Sequence, residues 1–554
     1  MKLSGAEIII NLLERQGIDT IAGIPGGSNL PLYNALFKSK IIRHILVRQE
    51  QAGGFIAQGM ARSSGKTAVC FATSGPGAVN LITAIADARL DSIPVVAITG
   101  QVAHSLIGTD AFQEVDTYGM TVPITKCNFL VRSAAELLTV IPEAFRIAAS
   151  GRPGPVLIDV PKDVQLQQVE FNTWPQPGKR EECAPFNKDA LAQAAAMINE
   201  AKRPVIYAGG GCMHSDMSKS IIALAEKCDI PAAFTLMGLG LMPHNHPLYL
   251  GMLGMHGARY TNNILHESDL LIALGVRFDD RATGKLAEFC PNAKVVHIDI
   301  DKSEIGKLRK PEIGITGDLS AALPALVDLA AASKREAWSD FVQKEKAKYP
   351  LSSQKADDGM HPLELIREIA AAAKDDAIVT TDVGQHQMWV AQGYPMKLPR
   401  TLLSSGGLGT MGFGLPAALG AALANPSKQV ICFTGDGSLL MNIQEFATLA
   451  ENNLNVKIML FNNGHLGLVR QQQELFFEKN YIASRFASNP NFTVIAEGFG
   501  LRAYEVNSIG ELMTTLPQVM SQDGPALVNI AVEHSHNVLP MVPPGAANLQ
   551  MIGG

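Results

Sequence analysis

Asp436 and Asn463 stand in two short polar turns, Thr434-Gly435-Asp436-Gly437-Ser438 and Asn462-Asn463-Gly464. A carboxylate and an amide are hard oxygen donors. So few protein ligands leave room for phosphate and water, which suits Mg²⁺. Gly435 and Gly437 let a phosphate approach the backbone closely. Gly-Asp-Gly alone is an ordinary turn, so the spacing has to carry the argument. The two turns follow apolar runs at 430–433 and 456–461. Between the runs, Ile443, Phe446, Ala447 and Ala450 recur at i, i+3, i+4 and i+7, a helix period. Strand, helix, strand predicts a parallel βαβ unit with a right-handed crossover. Both strands then end at one sheet edge, where open α/β sheets bind ligands, and Asp436 and Asn463 converge there.

A second carboxylate stands far from this unit. Residues 44–47 read as a strand, and Glu50 follows at the start of a helix predicted over 51–61. A Glu at a helix start is ordinarily a surface charge favoured by the helix dipole. Here Ala52, Gly53, Gly54, Phe55, Ile56 and Ala57 follow, so this helix start reads as buried. A buried carboxylate needs a partner.

Three stretches must position these groups. At 554 residues the chain has room for three or four domains. Residues 1–170 alternate helix and strand patterns, with a strand running into Gly26-Gly27 and another ending in Ser74-Gly75-Pro76-Gly77. The loop 107–114 has little periodicity and holds Phe112 and Gln113. Residues 164–187 are polar, carry prolines and read as a linker. A second block, 188–340, has Gly209-Gly210-Gly211 after one strand pattern and Arg277-Phe278-Asp279-Asp280-Arg281 after another, with Asp299 ending a third. Glycines after one strand and an acid after a later one suit a dinucleotide, although GGG is not G-x-G-x-x-G. The charged run 334–348 reads as a solvated helix at a second boundary. The third block, 360–554, adds Gln385, His386 and the glycine loop 406–414. The expected fold class is α/β: three doubly wound parallel-sheet domains, with no clear sequence repeat between the first and third.

The charge balance is 46 − 52 = −6, which suggests no nucleic-acid partner. Apolar residues make up 47% and charged residues 18%, enough for large buried cores. The seven cysteines are scattered with no C-x-x-C pair and read as small buried hydrophobes in a reducing compartment. Asn11, Glu14 and Arg15 interrupt the apolar N-terminus, which reads as an amphipathic helix rather than a signal peptide. Residues 402–424 are uncharged and long enough for a membrane span, but their glycines and Pro416 predict a loop leading into a core helix. The expectation is a soluble, cytoplasmic protein with no membrane segment.

The GDGS turn, followed by a helix and a strand ending in Asn-Asn, resembles the fingerprint of thiamine-diphosphate enzymes. With Glu50, RPGPV…PKD, LGMLGMHG, RFDDR and MVPPGAAN in order, the chain resembles catalytic large subunits of the acetohydroxyacid (acetolactate) synthase family over nearly its whole length. The resemblance implies condensation of two 2-oxoacids, pyruvate with pyruvate or with 2-oxobutyrate, with loss of CO₂, in branched-chain amino-acid biosynthesis. It implies thiamine diphosphate, Mg²⁺ and FAD, with the central block FAD-associated. It implies that Asp436, Asn463 and the backbone carbonyl at His465 hold the metal. Glu50 would hydrogen-bond the aminopyrimidine ring. Gln385, His386, Gly409, Met411, Gly435, Gly437, Ser438, Gly467 and Leu468 would hold the cofactor. Gly26, Phe112, Gln113, Lys162 and Met255 would line the reaction chamber, and Arg281 would pair with the second substrate's carboxylate. Arg152, Gly209, Gly210, Gly211, Arg277, Asp299 and Asp318 fall at or near family flavin contacts. The resemblance also implies a homodimer or dimer of dimers, with the site shared between chains, and a separate small regulatory subunit.

Two positions depart from the family pattern. Many relatives have Met where Leu468 stands and Trp where Gln472 stands, and that Trp packs against the extra methyl of 2-oxobutyrate. Gln472 therefore implies a weak preference for 2-oxobutyrate. Glyoxylate carboligase and pyruvate oxidase are the nearest rival readings; Glu50 argues against the first and RFDDR against the second. A non-catalytic scaffold would have lost Glu50 or Asp436.

Overall fold

The computed structural model describes residues 1–183, 185–351 and 359–553. Three six-stranded sheets, every neighbouring pair parallel, organise the described chain. Their central strands are apolar runs buried along their length, such as Val430–Gly435 and Ala68–Ala72. Such continuous runs are what parallel sheets need when helices cover both faces.

In the first sheet the spatial order is Arg43–Leu46, Thr20–Gly23, Ala68–Ala72, Val95–Gln101, Val156–Pro161, Cys127–Leu130. In the third it is Leu402–Leu403, Ile378–Thr381, Val430–Gly435, Val456–Asn462, Ala526–Ala531, Arg502–Val506. Numbered within each block, both read 2-1-3-4-6-5. The first and third blocks thus share a topology that their residues do not advertise, because a fold constrains the burial pattern rather than residue identity. The central sheet, built from Pro204–Ala208, Ala232–Phe234, Tyr249–Met252, Leu270–Leu274, Lys294–Asp299 and Ile313–Thr316, has the order 3-2-1-4-5-6.

Two helices weld the outer blocks. Glu50–Ser64 lies against Gly414–Ala424 with the backbones almost touching. A Cβ on Gly59 would come 2.1 Å from the Ala417 carbonyl oxygen, and one on Gly420 would come 2.0 Å from that of Ile56. The uncharged stretch 402–424 is therefore a two-residue strand, a loop and this buried helix. Among the described residues no helix is long and apolar enough to cross a membrane.

Two segments differ from the sequence reading. The stretch 164–187 is not all linker: Gln168–Glu170 pairs antiparallel with Lys2–Ser4, and Trp174 stacks edge-on against Phe171 beneath Arg15. The helix Glu336–Lys348 is not solvated all round. Trp338 and Val342 are buried against the central block, and the Trp338 indole donates to the Pro204 carbonyl at 3.1 Å.

Candidate active site

The strands Val430–Gly435 and Val456–Asn462 are adjacent and parallel, and the two turns that follow them meet. Asp436 is buried. Its Oδ2 accepts from the Gly464 N–H and the Asn489 amide, both at 2.7 Å, and its Oδ1 accepts from the Gly437 N–H at 3.0 Å. Burial raises the Asp436 pKa above the ordinary carboxylate value. Asn463 donates to Gln385 at 3.3 Å and accepts from the His465 N–H at 3.0 Å. His465 sits in an isolated bridge with Arg485, closed by the flanking bonds Leu466 N–H to Ser484 and Phe486 N–H to Gly464.

Beside this pair Gly435 and Gly467 have no room for a side chain. A Cβ on Gly435 would lie 3.0 Å from His386 Nδ1, and one on Gly467 would lie 2.1 Å from Gln385 Oε1. Ser438 donates to the Val383 carbonyl at 2.8 Å. His386 is buried, its pKa is pushed down to about 3 by burial, and its Nε2 has no partner among the described residues. An orphaned ring nitrogen beside a glycine-lined turn fits a diphosphate. One carboxylate, one amide and a backbone carbonyl fit Mg²⁺, with positions left for phosphate oxygens and water. Among the described residues no three His, Cys, Asp or Glu side chains gather to hold a metal by themselves.

Glu50 belongs to a second cluster, at the edge of the first sheet. Its helix start is buried and its Oε2 accepts from Asn80 at 2.9 Å. A Cβ on Gly77 would lie 3.2 Å from Glu50 Oε1 and 2.8 Å from Thr73, and one on Gly26 would lie 2.6 Å from Thr73. Gly75, at φ +58°, packs against the Gln113 backbone, which is itself at φ +59°. Gly26, Glu50 and Gln113 are thus brought together. Phe112 is not: it is 88% exposed, and Lys162 is also exposed at the start of the helix Lys162–Leu166. No hydrogen bond among the described residues joins Glu50 to the Asp436 cluster.

A cavity of about 460 Å³ opens between the three blocks. It is lined by Arg152, Gly209, Gly210, Gly211, Met255, Arg277, Asp299, Arg281, Gly409, Leu468 and Gln472. Arg281 and Gln472 are exposed toward it. Burial raises Asp299 to about 6. Met411 and Asp318 are not among the lining residues. Asp318 instead caps the helix Leu319–Leu329 through the Ser320 N–H and pairs with Arg180.

Sequence reasoning missed Asn80, Asn489 and Asp382. Asp382 accepts from the Gly412 N–H at 2.8 Å and the Gly414 N–H at 3.2 Å, and so holds the glycine loop. It follows a strand as Asp436 does, a signal that was available. Nothing local marks the two asparagines, which reach their partners only through the fold.

Three family descriptions match the chain. Residues 3–120 match the N-terminal TPP binding domain of thiamine pyrophosphate enzymes, 191–326 the central domain, and 382–530 the C-terminal TPP binding domain. The acetolactate synthase isozyme 1 large subunit of Escherichia coli is 55% identical, over 100% of this chain and 98% of that protein. The isozyme 2 large subunit of the same organism is 44% identical over 99% of each chain. The chloroplastic acetolactate synthase of Arabidopsis thaliana is 45% identical over 98% of this chain and 83% of its own length.

These matches correct the expectation of a central FAD-associated domain. Residues 191–326 match the central domain of thiamine pyrophosphate enzymes, with no flavin in the description. Two of the glycines after the first strand of this domain also sit in tight packing. A Cβ on Gly209 would lie 2.7 Å from the Gly275 carbonyl oxygen, and one on Gly211 would lie 2.7 Å from the Gly275 Cα. The chain belongs to the acetolactate synthase large subunits, with the N-terminal, central and C-terminal domains of the thiamine pyrophosphate enzymes.

Proposed function

We propose that this chain joins two pyruvates, with loss of CO₂, to 2-acetolactate, and pyruvate with 2-oxobutyrate to 2-aceto-2-hydroxybutyrate, with weak preference for the second. The observation that carries the reading is the meeting of Asp436 and Asn463 beside the orphaned His386 Nε2. Thiamine diphosphate, when bound, supplies the electron sink for decarboxylating a 2-oxoacid. The protein's part is to hold, orient and keep dry. Asp436, Asn463 and the His465 carbonyl would hold the Mg²⁺ and with it the diphosphate. Glu50, held by Asn80 through one oxygen, would have the other free to hold a proton at the cofactor's aminopyrimidine ring. The exposed Arg281 guanidinium offers two parallel donors to a substrate carboxylate.

A second copy of the chain completes the site. The exposed Phe112 supports this reading. A homodimer, or a dimer of dimers with a separate small regulatory subunit, is the proposed assembly. Functional units at 1–170, 188–340 and 360–554 are proposed with it. FAD is proposed only as an occupant of the cavity between the blocks, not as the mark of a flavin domain.

The test is to incubate the purified chain with pyruvate, thiamine diphosphate, Mg²⁺ and FAD and identify the product. One 2-acetolactate per CO₂, abolished by EDTA, is expected. CO₂ released with acetaldehyde or acetate as the sole product would overturn the reading.

A further inference from the structure

We propose that Asp87 and Asp91, with Arg62, form a latch that positions the glycine loop 405–411 for the cofactor. This rests on the reading that the Gly409–Met411 turn faces thiamine diphosphate. Asp87 and Asp91 stand four residues apart at the end of the helix Ile82–Leu90, and both side chains are fully buried. Arg62, from the Glu50 helix, reaches Asp91 at 2.8 Å and Asp87 at 3.3 Å. One guanidinium faces two buried carboxylates, whose remaining oxygen lone pairs must find donors away from water.

The donors come from one loop in the third block. The Gly406 and Gly407 N–H groups donate to Asp91 at 3.0 and 2.7 Å. The Ser405 hydroxyl donates to Asp87, and the Thr410 hydroxyl donates to the same oxygen at 2.9 Å. Arg62 also donates to the Ser404 carbonyl at 3.0 Å and lies over the Phe413 ring, so it grips both ends of the loop. The fit is tight. A Cβ on Gly407 would lie 2.9 Å from Asp91 Oδ1, and one on Gly406 would lie 2.4 Å from Met237 Sδ in the central block. On its far side the loop is held by Asp382 at the Gly412 N–H. The turn between, with Gly409 at φ +69°, hangs from three carboxylates and faces the cavity. These are positioning residues: they touch the loop, and the loop touches the cofactor.

A weld that merely joined the blocks would also use such bonds, so the test separates stability from cofactor handling. Asp91→Asn keeps the shape but can accept from only one of the two glycine amides. In the full-length protein its melting temperature should fall, because one buried N–H loses its acceptor. Hydrogen exchange of 405–411 should speed up, and the Kd for thiamine diphosphate at saturating Mg²⁺ should rise about tenfold, the scale of losing a charge-assisted bond. At saturating cofactor, kcat should fall with KM for pyruvate unchanged. Ser405→Ala, which leaves every charge in place, should move exchange and Kd the same way by less. Faster exchange with unchanged Kd and kcat in both variants would overturn the latch. The wild type gives the separate control. If thiamine diphosphate fails to protect 405–411 there while turnover is normal, the loop does not face the cofactor, and the latch falls while the activity stands.

Discussion

The backbone N–H of Arg48 donates to Oε1 of Glu445 at 3.0 Å, nearly four hundred residues along the chain. Glu445 is buried on the helix Glu445–Glu451 of the unit that carries Asp436, and Thr448 satisfies its other oxygen at 2.6 Å. Arg48 immediately precedes the capped start of the Glu50 helix. The unit that carries Asp436 therefore pins the segment that carries Glu50. Glu445→Gln should lower kcat, at the cost of a charge-assisted bond worth about 1.5–3 kcal/mol. The Mg²⁺ concentration for half-activity should not change. A Mg²⁺ titration that shifts as much as kcat would mean Glu445 supports the Asp436 side instead.

Asp159 offers a pH test away from the cofactor. It is buried on the strand Val156–Pro161, where Thr99 and Gln101 donate to its two oxygens, and burial raises its pKa to about 7. A carboxyl whose folded pKa is raised binds its proton more tightly when folded. Its contribution to stability is therefore full below the unfolded value near 4 and is lost as pH rises toward about 7. Asp159→Asn cannot ionise. Its melting temperature relative to wild type should rise between pH 5 and pH 7.5. A difference that stays flat or falls would show that Asp159 is ionised throughout.

Site sharing between chains is tested by complementation. Glu50→Ala and Asp436→Ala should each be inactive alone. Mixed, with subunit exchange verified by mass, they should recover a fraction of wild-type turnover through hybrids carrying one intact site. No recovery in verified hybrids would place both residues in the same chain's site.

Gln472 lines the cavity near Leu468 and Met255 and is exposed toward it. A methylene in an apolar pocket is worth roughly 1–3 kcal/mol, or about 10–200-fold in selectivity. A polar, flexible glutamine should forgo much of that. With pyruvate and 2-oxobutyrate competing, Gln472→Trp should raise the ratio of acetohydroxybutyrate to acetolactate over wild type. An unchanged ratio would put selectivity elsewhere.

What was legible in the residues was the part set by local pattern. Apolar runs and the i, i+3, i+4, i+7 period located the Asp436 unit, because a buried parallel strand must read as a continuous apolar run. The burial of Glu50 followed from the small residues after it. What stayed hidden depends on contacts across the chain. Asn80, Asn489 and Glu445 look like surface polar residues until the fold brings their partners. The face of Glu336–Lys348 that buries Trp338 was masked by its charge count. The Gly209–Gly211 cluster is ambiguous in sequence because close packing and phosphate binding both demand glycine.

The central claim is that Glu50 and the Asp436–Asn463 pair serve one thiamine diphosphate. The direct measurement is hydrogen–deuterium exchange at C2 of the bound cofactor, by quenched-flow NMR, with Mg²⁺ and cofactor saturating. Wild type should exchange fast. Glu50→Gln should retain the cofactor yet exchange it slower by about two to four orders of magnitude, the usual scale of general acid–base assistance. Exchange at the wild-type rate in Glu50→Gln, with the cofactor shown to be bound, would contradict the account.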